Sequence, residues 1–178
     1  MSYSTVAKRY ALALFEIAKE HNQLEAIEQE LRAVKSVFIQ NKELSILLEN
    51  PKFSTDRKKD MLKEAFSTVS VSVLNTLLLM TDRHREDQVV GVVDAFIELS
   101  NEARGIAEAK VYSVRTLTED EKTAMSASFA KKIGKQSLRI ENVIDENILG
   151  GLKVRIGNRI YDGTLAGKLD RLERELVR

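Results

Sequence analysis

Few side chains in this sequence are of the types that carry out catalysis. The chain has two histidines, His21 and His84, and no cysteine. Nucleophilic and metal-assisted reactions need such groups in sets, for example a nucleophile beside a histidine base, or two histidines one helical turn apart. Neither histidine belongs to such a set, and a lone histidine at a helix end is typical of solvated surface. The sequence therefore predicts a protein that is not an enzyme, with no metal site and no cofactor.

One segment has the glycine and lysine content of a phosphate-binding loop. In Gly163–Lys168 (GTLAGK) three residues separate the glycines, whereas a P-loop has four. Leu169 follows, at the position where a P-loop places a hydroxyl on Mg²⁺. We expect no nucleotide and no other small-molecule ligand here.

Charge and hydropathy exclude two further classes of protein. The 28 basic and 27 acidic side chains nearly cancel, whereas a non-specific nucleic-acid binder usually has a basic surplus. Two local basic clusters are interpreted as solvated surface, with an acidic protein or RNA as the alternative partner: Arg57-Lys58-Lys59, and Lys131-Lys132 with Lys135 and Arg139. No apolar run approaches the roughly 20 residues that span a bilayer.

The first part of the chain has the 3.6-residue period of amphipathic helices. The period predicts a six-helix domain over residues 1–105, with the first helix at about Thr5–Glu20. The run Val89–Val93 has strand propensity, but apolar spacing of three and four through Leu99 favours a helix. Apolar residues cover most of the circumference of the first helix between Tyr10 and Ala18. Either this helix is central in the bundle, or one side of it is a groove for another helix.

Near Gly105 the period changes from 3.6 to 2, which predicts a small α/β domain over residues 106–178 and an α+β fold overall. Thr118 and Glu121 have the spacing of a capping box at the start of a helix that ends at Gly134. A strand pattern then returns around Ile140.

The C-terminal segment reads as a hairpin followed by a helix. Residues 152–156 alternate apolar and basic side chains, and Gly157-Asn158 suits a type II′ turn. Asp162 is predicted to be the N-cap of a last helix that has a leucine stripe. Gly150-Gly151 is expected to bend the chain just before the hairpin.

These features resemble the delta subunit of the bacterial F-type ATP synthase and its mitochondrial relative, the oligomycin-sensitivity-conferring protein. The resemblance rests on residues 143–172 and, at the other end, on residues 6–15 (VAKRYALALF). The C-terminal part contains the family's signature residues: Gly150, Gly151, Gly157, Asp162 and Gly163.

The resemblance implies a non-catalytic connector in the peripheral stalk, or stator, of the enzyme. In that family the helical bundle holds the N-terminal segments of α subunits, and the small domain holds the b subunits of the stalk. The α-subunit helix is accepted in a groove between the first and fifth helices. The matching positions here are Ala7, Tyr10, Ala13, Leu14, Asn75, Leu78 and Leu79. The stalk-binding residues are expected around Gly150–Gly157 and in the last helix.

The implied location is the cytoplasmic face of a bacterial cell membrane, with attachment only through the complex. Two other functions remain open at this point. A helical N-terminal domain also suits an RNA-binding antitermination factor, although the near-neutral charge argues against it. A small enzyme with its site in the C-terminal half would need convergent polar residues that the sequence does not offer.

Overall fold

The structure, a computed structural model, describes residues 4–176, without the side chains of residues 170, 171 and 173–176. The chain divides into two compact units, Met1–Ser100 and Asn101–Arg178. This division precedes the predicted joint after residue 105 and falls inside a helix that extends to Ala103. Within the second unit, Asn101 Nδ2 donates a hydrogen bond to Glu108 Oε1 at 3.3 Å.

The first unit contains the six predicted helices. They are α1 Thr5–Glu20, α2 Leu24–Gln40, α3 Lys42–Glu49, α4 Thr55–Ala65, α5 Val71–Asp82 and α6 Val89–Ala103. A short 3₁₀ helix, Glu86–Gln88, leads into α6. Ser4 and Ser54 begin α1 and α4 by accepting backbone N–H groups of Ala7 and Arg57, which would otherwise lack partners at a helix start.

The apolar stripes of the six helices meet in one core. Phe15 and Phe96 make an edge-to-face contact with centroids 6.3 Å apart, and Phe38 stacks on Phe66 at 5.9 Å. The helical interpretation of residues 89–93 is confirmed, because α6 buries Val89, Val92 and Val93 along one face. Since the core draws on all six helices, the bundle needs no metal or disulfide to hold it.

Two ion pairs of the bundle involve buried side chains. Lys58 Nζ lies 3.0 Å from Glu86 Oε1, and their side chains are 4% and 7% exposed. Glu28, also buried, accepts a hydrogen bond from Ser100 Oγ at 2.9 Å and pairs with Arg32. The interpretation of residues 57–59 as solvated charge is therefore wrong for Lys58, whose ammonium group ties α4 to the 3₁₀ helix.

The second unit is a four-stranded mixed sheet with two helices. The strands are β1 Ile106–Ser113, β2 Ser137–Ile144, β3 Leu152–Ile156 and β4 Arg159–Asp162, in the spatial order β2-β1-β3-β4. β1 pairs parallel with β2 and antiparallel with β3. The helix α7 (Glu119–Ile133) makes the crossover connection between β1 and β2. The hairpin β3–β4 leads to the last helix, α8 (Leu165–Leu176).

Alternation along the strands gives the sheet one apolar and one polar face. Ala109, Val111, Val154 and Ile156 lie on the apolar face and pack against α7. The predicted capping box of Thr118 and Glu121 is present at the start of α7, and Gly134 ends the helix at φ +69°. In the hairpin turn Gly157 has φ +56°, as the first central residue of a type II′ turn requires. The fold class is α+β, as predicted.

Candidate partner-binding surfaces

Helix α1 has a fully buried stripe and an adjacent exposed apolar stripe. Small residues dominate the buried stripe, because this helix packs closely on its neighbours: a Cβ added at Gly91 of α6 would lie 3.4 Å from that of Ala7. The buried residues are Ala7, Ala11, Leu14, Phe15 and Ala18. Ala7 and Leu14, two of the seven predicted groove residues, are 0% and 1% exposed and so belong to the core.

Three apolar residues of α1 reach the surface beside that core stripe. Tyr10 is half-buried, Ala13 is exposed and Ile17 is 41% exposed. Their spacing of three and four places them along one flank of the helix. Ile17 was not among the predicted groove residues, although its position four residues after Ala13 could have indicated that it lies on the same flank. Leu12, also exposed, lies outside this flank, among the polar residues of α1.

Helix α5 contacts α1 and also exposes apolar side chains. Its buried residues are Val73, Leu77, Met80 and Thr81. Of the predicted residues, Leu78 is half-buried, whereas Asn75 and Leu79 are exposed, Leu79 at 48%. Val71, in the first turn, is 73% exposed and was not predicted. The structure thus brings together two helices that each carry apolar side chains beyond what their core needs.

In the second unit the signature glycines allow two backbone segments to touch. Gly151 has φ +83°, and a Cβ there would lie 2.5 Å from the carbonyl oxygen of Gly163. The N–H of Gly163 donates to Leu152 O, and the N–H of Leu165 donates to Gly150 O, both at 3.0 Å. These glycines therefore fix the start of α8 against the turn before β3.

The predicted N-cap at Asp162 is wrong by two residues. Asp162 is the last residue of β4, and Thr164 Oγ1 accepts the N–H of Gly167 at 3.0 Å, as an N-cap does. Asp162 Oδ1 accepts hydrogen bonds from both the N–H and the hydroxyl of Thr164. The carboxylate thus orients the cap and does not provide it, because the strand continues further than the sequence pattern indicated.

The same contacts leave no phosphate cradle in Gly163–Lys168. A P-loop binds phosphate through free backbone N–H groups. Here the N–H groups of Gly163, Thr164, Leu165, Gly167 and Lys168 all donate within the protein. Among the described residues, no group of three or more histidine, aspartate or glutamate side chains could hold a metal ion.

Beside the glycine turn the second unit exposes a row of leucines. Leu165, Leu169 and Leu172 of α8 are 51–59% exposed and share one helix face. Leu149, in the turn before β3, is 71% exposed and has φ +61°. A side chain other than glycine rarely adopts this backbone conformation, and such strain is concentrated at functional positions. The sequence pattern located the leucine stripe of α8 but gave no signal for Leu149.

No helix within residues 4–176 has the length and hydropathy to cross a bilayer. The apolar surfaces described above are patches on two folded units. They lie on neighbouring helices in the bundle, and on α8 with its adjoining turn in the second unit. Such patches, bordered by charged residues, are typical of surfaces that bind other proteins.

Comparison with known proteins gives a consistent set of relatives. The sequence model of the ATP synthase delta (OSCP) subunit family matches residues 6–176. A protein named ATP synthase subunit delta from Anoxybacillus flavithermus is 56% identical over 178 residues, covering all of both chains. One of the same name from a Geobacillus species is 53% identical, with 99% of each chain covered. Among solved structures, a chain of the Toxoplasma gondii mitochondrial ATP synthase hexamer has the same fold, with a TM-score of 0.73 at 21% identity, covering 98% of this chain and 99% of that one.

Proposed function

Because this chain belongs to the ATP synthase delta (OSCP) subunit family, we propose that it connects the catalytic head of a rotary ATP synthase to the peripheral stalk. It is a stator subunit and performs no chemistry itself. Torque from the rotor would turn the head unless a static element held the head to the membrane sector. A connector in this position needs two binding surfaces on a firmly packed framework, and no catalytic groups.

The observation that carries the proposal is the pair of apolar surfaces on α1 and α5. Tyr10, Ala13 and Ile17 on α1, with Leu78 and Leu79 on α5, would present an apolar groove to an amphipathic helix. Ala13 provides close approach, and Tyr10 adds a ring that tolerates both apolar and aqueous surroundings. The proposed occupant is an N-terminal segment of an α subunit. Ala7 and Leu14 belong to the buried core that lies beneath this surface and supports it.

The second unit is proposed to hold the b subunits of the stalk. Its exposed leucines at positions 149, 165, 169 and 172 offer an apolar surface of the kind that a helix of a stalk subunit would cover. The protein would then lie at the cytoplasmic face of the bacterial membrane and attach to it only through the complex. The alternative of an RNA-binding antitermination factor finds no support in the comparisons or in the near-neutral charge.

The groove is tested by Ala13→Asp in the full chain. An uncompensated charge in a desolvated interface costs on the order of 2–5 kcal/mol, or a roughly 30- to several-thousand-fold loss of affinity. Affinity for a peptide of the α-subunit N-terminus would be measured by calorimetry, together with the melting temperature of the free protein. The matched control is Ala33→Asp, which adds the same charge at an exposed position on α2.

We expect Ala13→Asp to lose peptide binding, and both variants to melt close to the temperature of the parent protein. Unchanged peptide binding would remove Ala13 from the site. A collapse of the melting temperature in Ala13→Asp alone would show that this position is part of the core.

A further inference from the structure

The open face of the sheet carries a row of side chains that crosses all four strands. The strand register places Glu141 of β2, Lys110 of β1, Arg155 of β3 and Ile160 of β4 side by side. Their neighbours in sequence, such as Ala109 and Val154, point to the opposite face and are buried under α7. The row therefore faces away from the packed core of the unit.

Two cations stand directly opposite each other at the centre of this row. Lys110 and Arg155 are antiparallel partners, and like charges in directly opposed positions destabilise a sheet. Glu141 lies 3.2 Å from Lys110 and compensates that ammonium group. Arg155 reaches no carboxylate among the described side chains; its Nε donates to Gly157 O at 3.4 Å. Lys110 and Arg155 are therefore an unfavourable cross-strand pair, and no described carboxylate compensates the charge of Arg155.

A third cation on the same face also has no acidic partner within the part of the chain whose side chains the structure describes. Lys153 lies two residues before Arg155 on β3, and its cross-strand partner is Asp162. The Oδ1 atom of that carboxylate is directed to Thr164 at the start of α8. No ion pair of Lys153 occurs among the side chains that the structure describes. Two alternate positions on β3, half-buried Lys153 and exposed Arg155, thus carry positive charges that no carboxylate among the described side chains pairs with.

We infer that this face binds an acidic helix of the stalk partner, with carboxylates one helical turn apart received by Lys153 and Arg155. Alternate residues of a strand are about 6.6 Å apart, and residues four apart on a helix rise about 6 Å, so the two spacings match. The exposed Ile160 and half-buried Tyr112 beside the cations suit the apolar part of such a helix. The inference rests on the proposed function, because its occupant is the stalk partner named above.

The flanking acids favour a protein helix over a polyanion. Glu108 and Glu141 lie on the same face as the cations. A nucleic acid or an anionic lipid surface presents closely spaced phosphates, which these carboxylates would repel. A helix with two carboxylates at a defined spacing can contact the cations and avoid the acids.

The test uses the double variant Lys153→Gln/Arg155→Gln, called the β3 variant. Its affinity for the soluble part of the b subunits is compared with that of the parent chain at several salt concentrations. The matched control is Lys131→Gln/Lys135→Gln, which removes the same charge from exposed positions in and after α7. Melting temperatures are measured in parallel. Vesicles containing anionic lipid serve as a second binding partner for all three proteins.

We expect the β3 variant to bind the b subunits roughly 3- to 30-fold more weakly at low salt, from two exposed ion pairs lost. The difference should shrink as salt rises, with the control within about twofold of the parent. The β3 variant should melt no lower than the parent, because neutralisation relieves the repulsion between Arg155 and Lys110.

Equal binding of the b subunits by the parent and the β3 variant would overturn the inference and leave the proposed function intact. A parent chain that does not bind the b subunits would overturn both. Loss of vesicle binding in the β3 variant, with b-subunit binding unchanged, would assign the face to a membrane surface and also overturn the inference. A drop in melting temperature would mark the cations as structural and count against it.

Discussion

The buried pair of Lys58 and Glu86 allows a sharp test of how the bundle is held together. Lys58→Met keeps the length of the aliphatic stem and removes the charge, so that the carboxylate of Glu86 is left buried without its cation. At 3.0 Å and an effective dielectric constant of about 20, two unit charges attract by about 5–6 kcal/mol. Desolvation offsets part of this, and breaking one side of a buried pair typically costs about 3–5 kcal/mol.

Such a loss should be visible as a large shift in thermal unfolding. For a unit of about 100 residues, 1 kcal/mol corresponds to roughly 4–8 °C, so Lys58→Met should lower the melting temperature by at least about 12 °C. Far-UV circular dichroism of the full chain reports chiefly on the helical unit. Lys63→Met is the matched control, because it removes an exposed pair with Asp60 from the same helix. That change should cost less than about 1 kcal/mol.

The double variant Lys58→Met/Glu86→Leu separates charge from packing. If the penalty comes from an uncompensated charge, replacing both partners by apolar groups should recover most of the lost stability. A Lys58→Met variant no less stable than Lys63→Met, or a double variant that is worse than Lys58→Met alone, would refute this reasoning.

Two further predictions concern the second unit. The hydrogen bond from Arg115, followed by the backbone N–H of Thr118, lowers the pKa of Glu121 from 4.5 to about 2. The stabilisation from this contact should therefore be complete above pH 4.5 and be lost as the pH falls towards 2, and urea unfolding of the parent should show more acid destabilisation over this range than Glu121→Gln. Gly151→Ala should destabilise the unit by several kcal/mol, because the new Cβ would lie 2.5 Å from Gly163 O at φ +83°. Gly157→Ala, at φ +56° but in open space, should cost about 1 kcal/mol, and equal unfolding free energies for the two variants would contradict the close-approach argument.

Local signals in the sequence predicted most of the fold. The bounds of α1, the capping box at Thr118 and the turn at Gly157 each depend on residues close together in the chain. The burial of Lys58 depends on a glutamate in a distant element, and no local pattern reports such a contact. The cap of α8 was misplaced for a related reason: pairing with β3 extends β4 to Asp162 and moves the helix start to Leu165.

The residues of the candidate groove stay a prediction, although the structure corrects the burial of two of them. The resemblance selected two helices that contact each other in the structure, yet it could not separate core from surface within α1. Ala7 is buried because it packs against Gly91 of α6, a contact that only the tertiary structure reveals. Leu149 was missed because a leucine before two glycines gives no sign of its positive φ or of its exposure.

We propose that this protein joins two parts of a rotary ATP synthase and does so without chemistry. The most direct measurement is co-sedimentation of the purified catalytic head with the soluble part of the b subunits, with and without this chain. We expect the two to sediment together only when the chain is present, and Ala13→Asp to abolish the effect. Head and b subunits that stay separate in the presence of the folded chain would contradict the account.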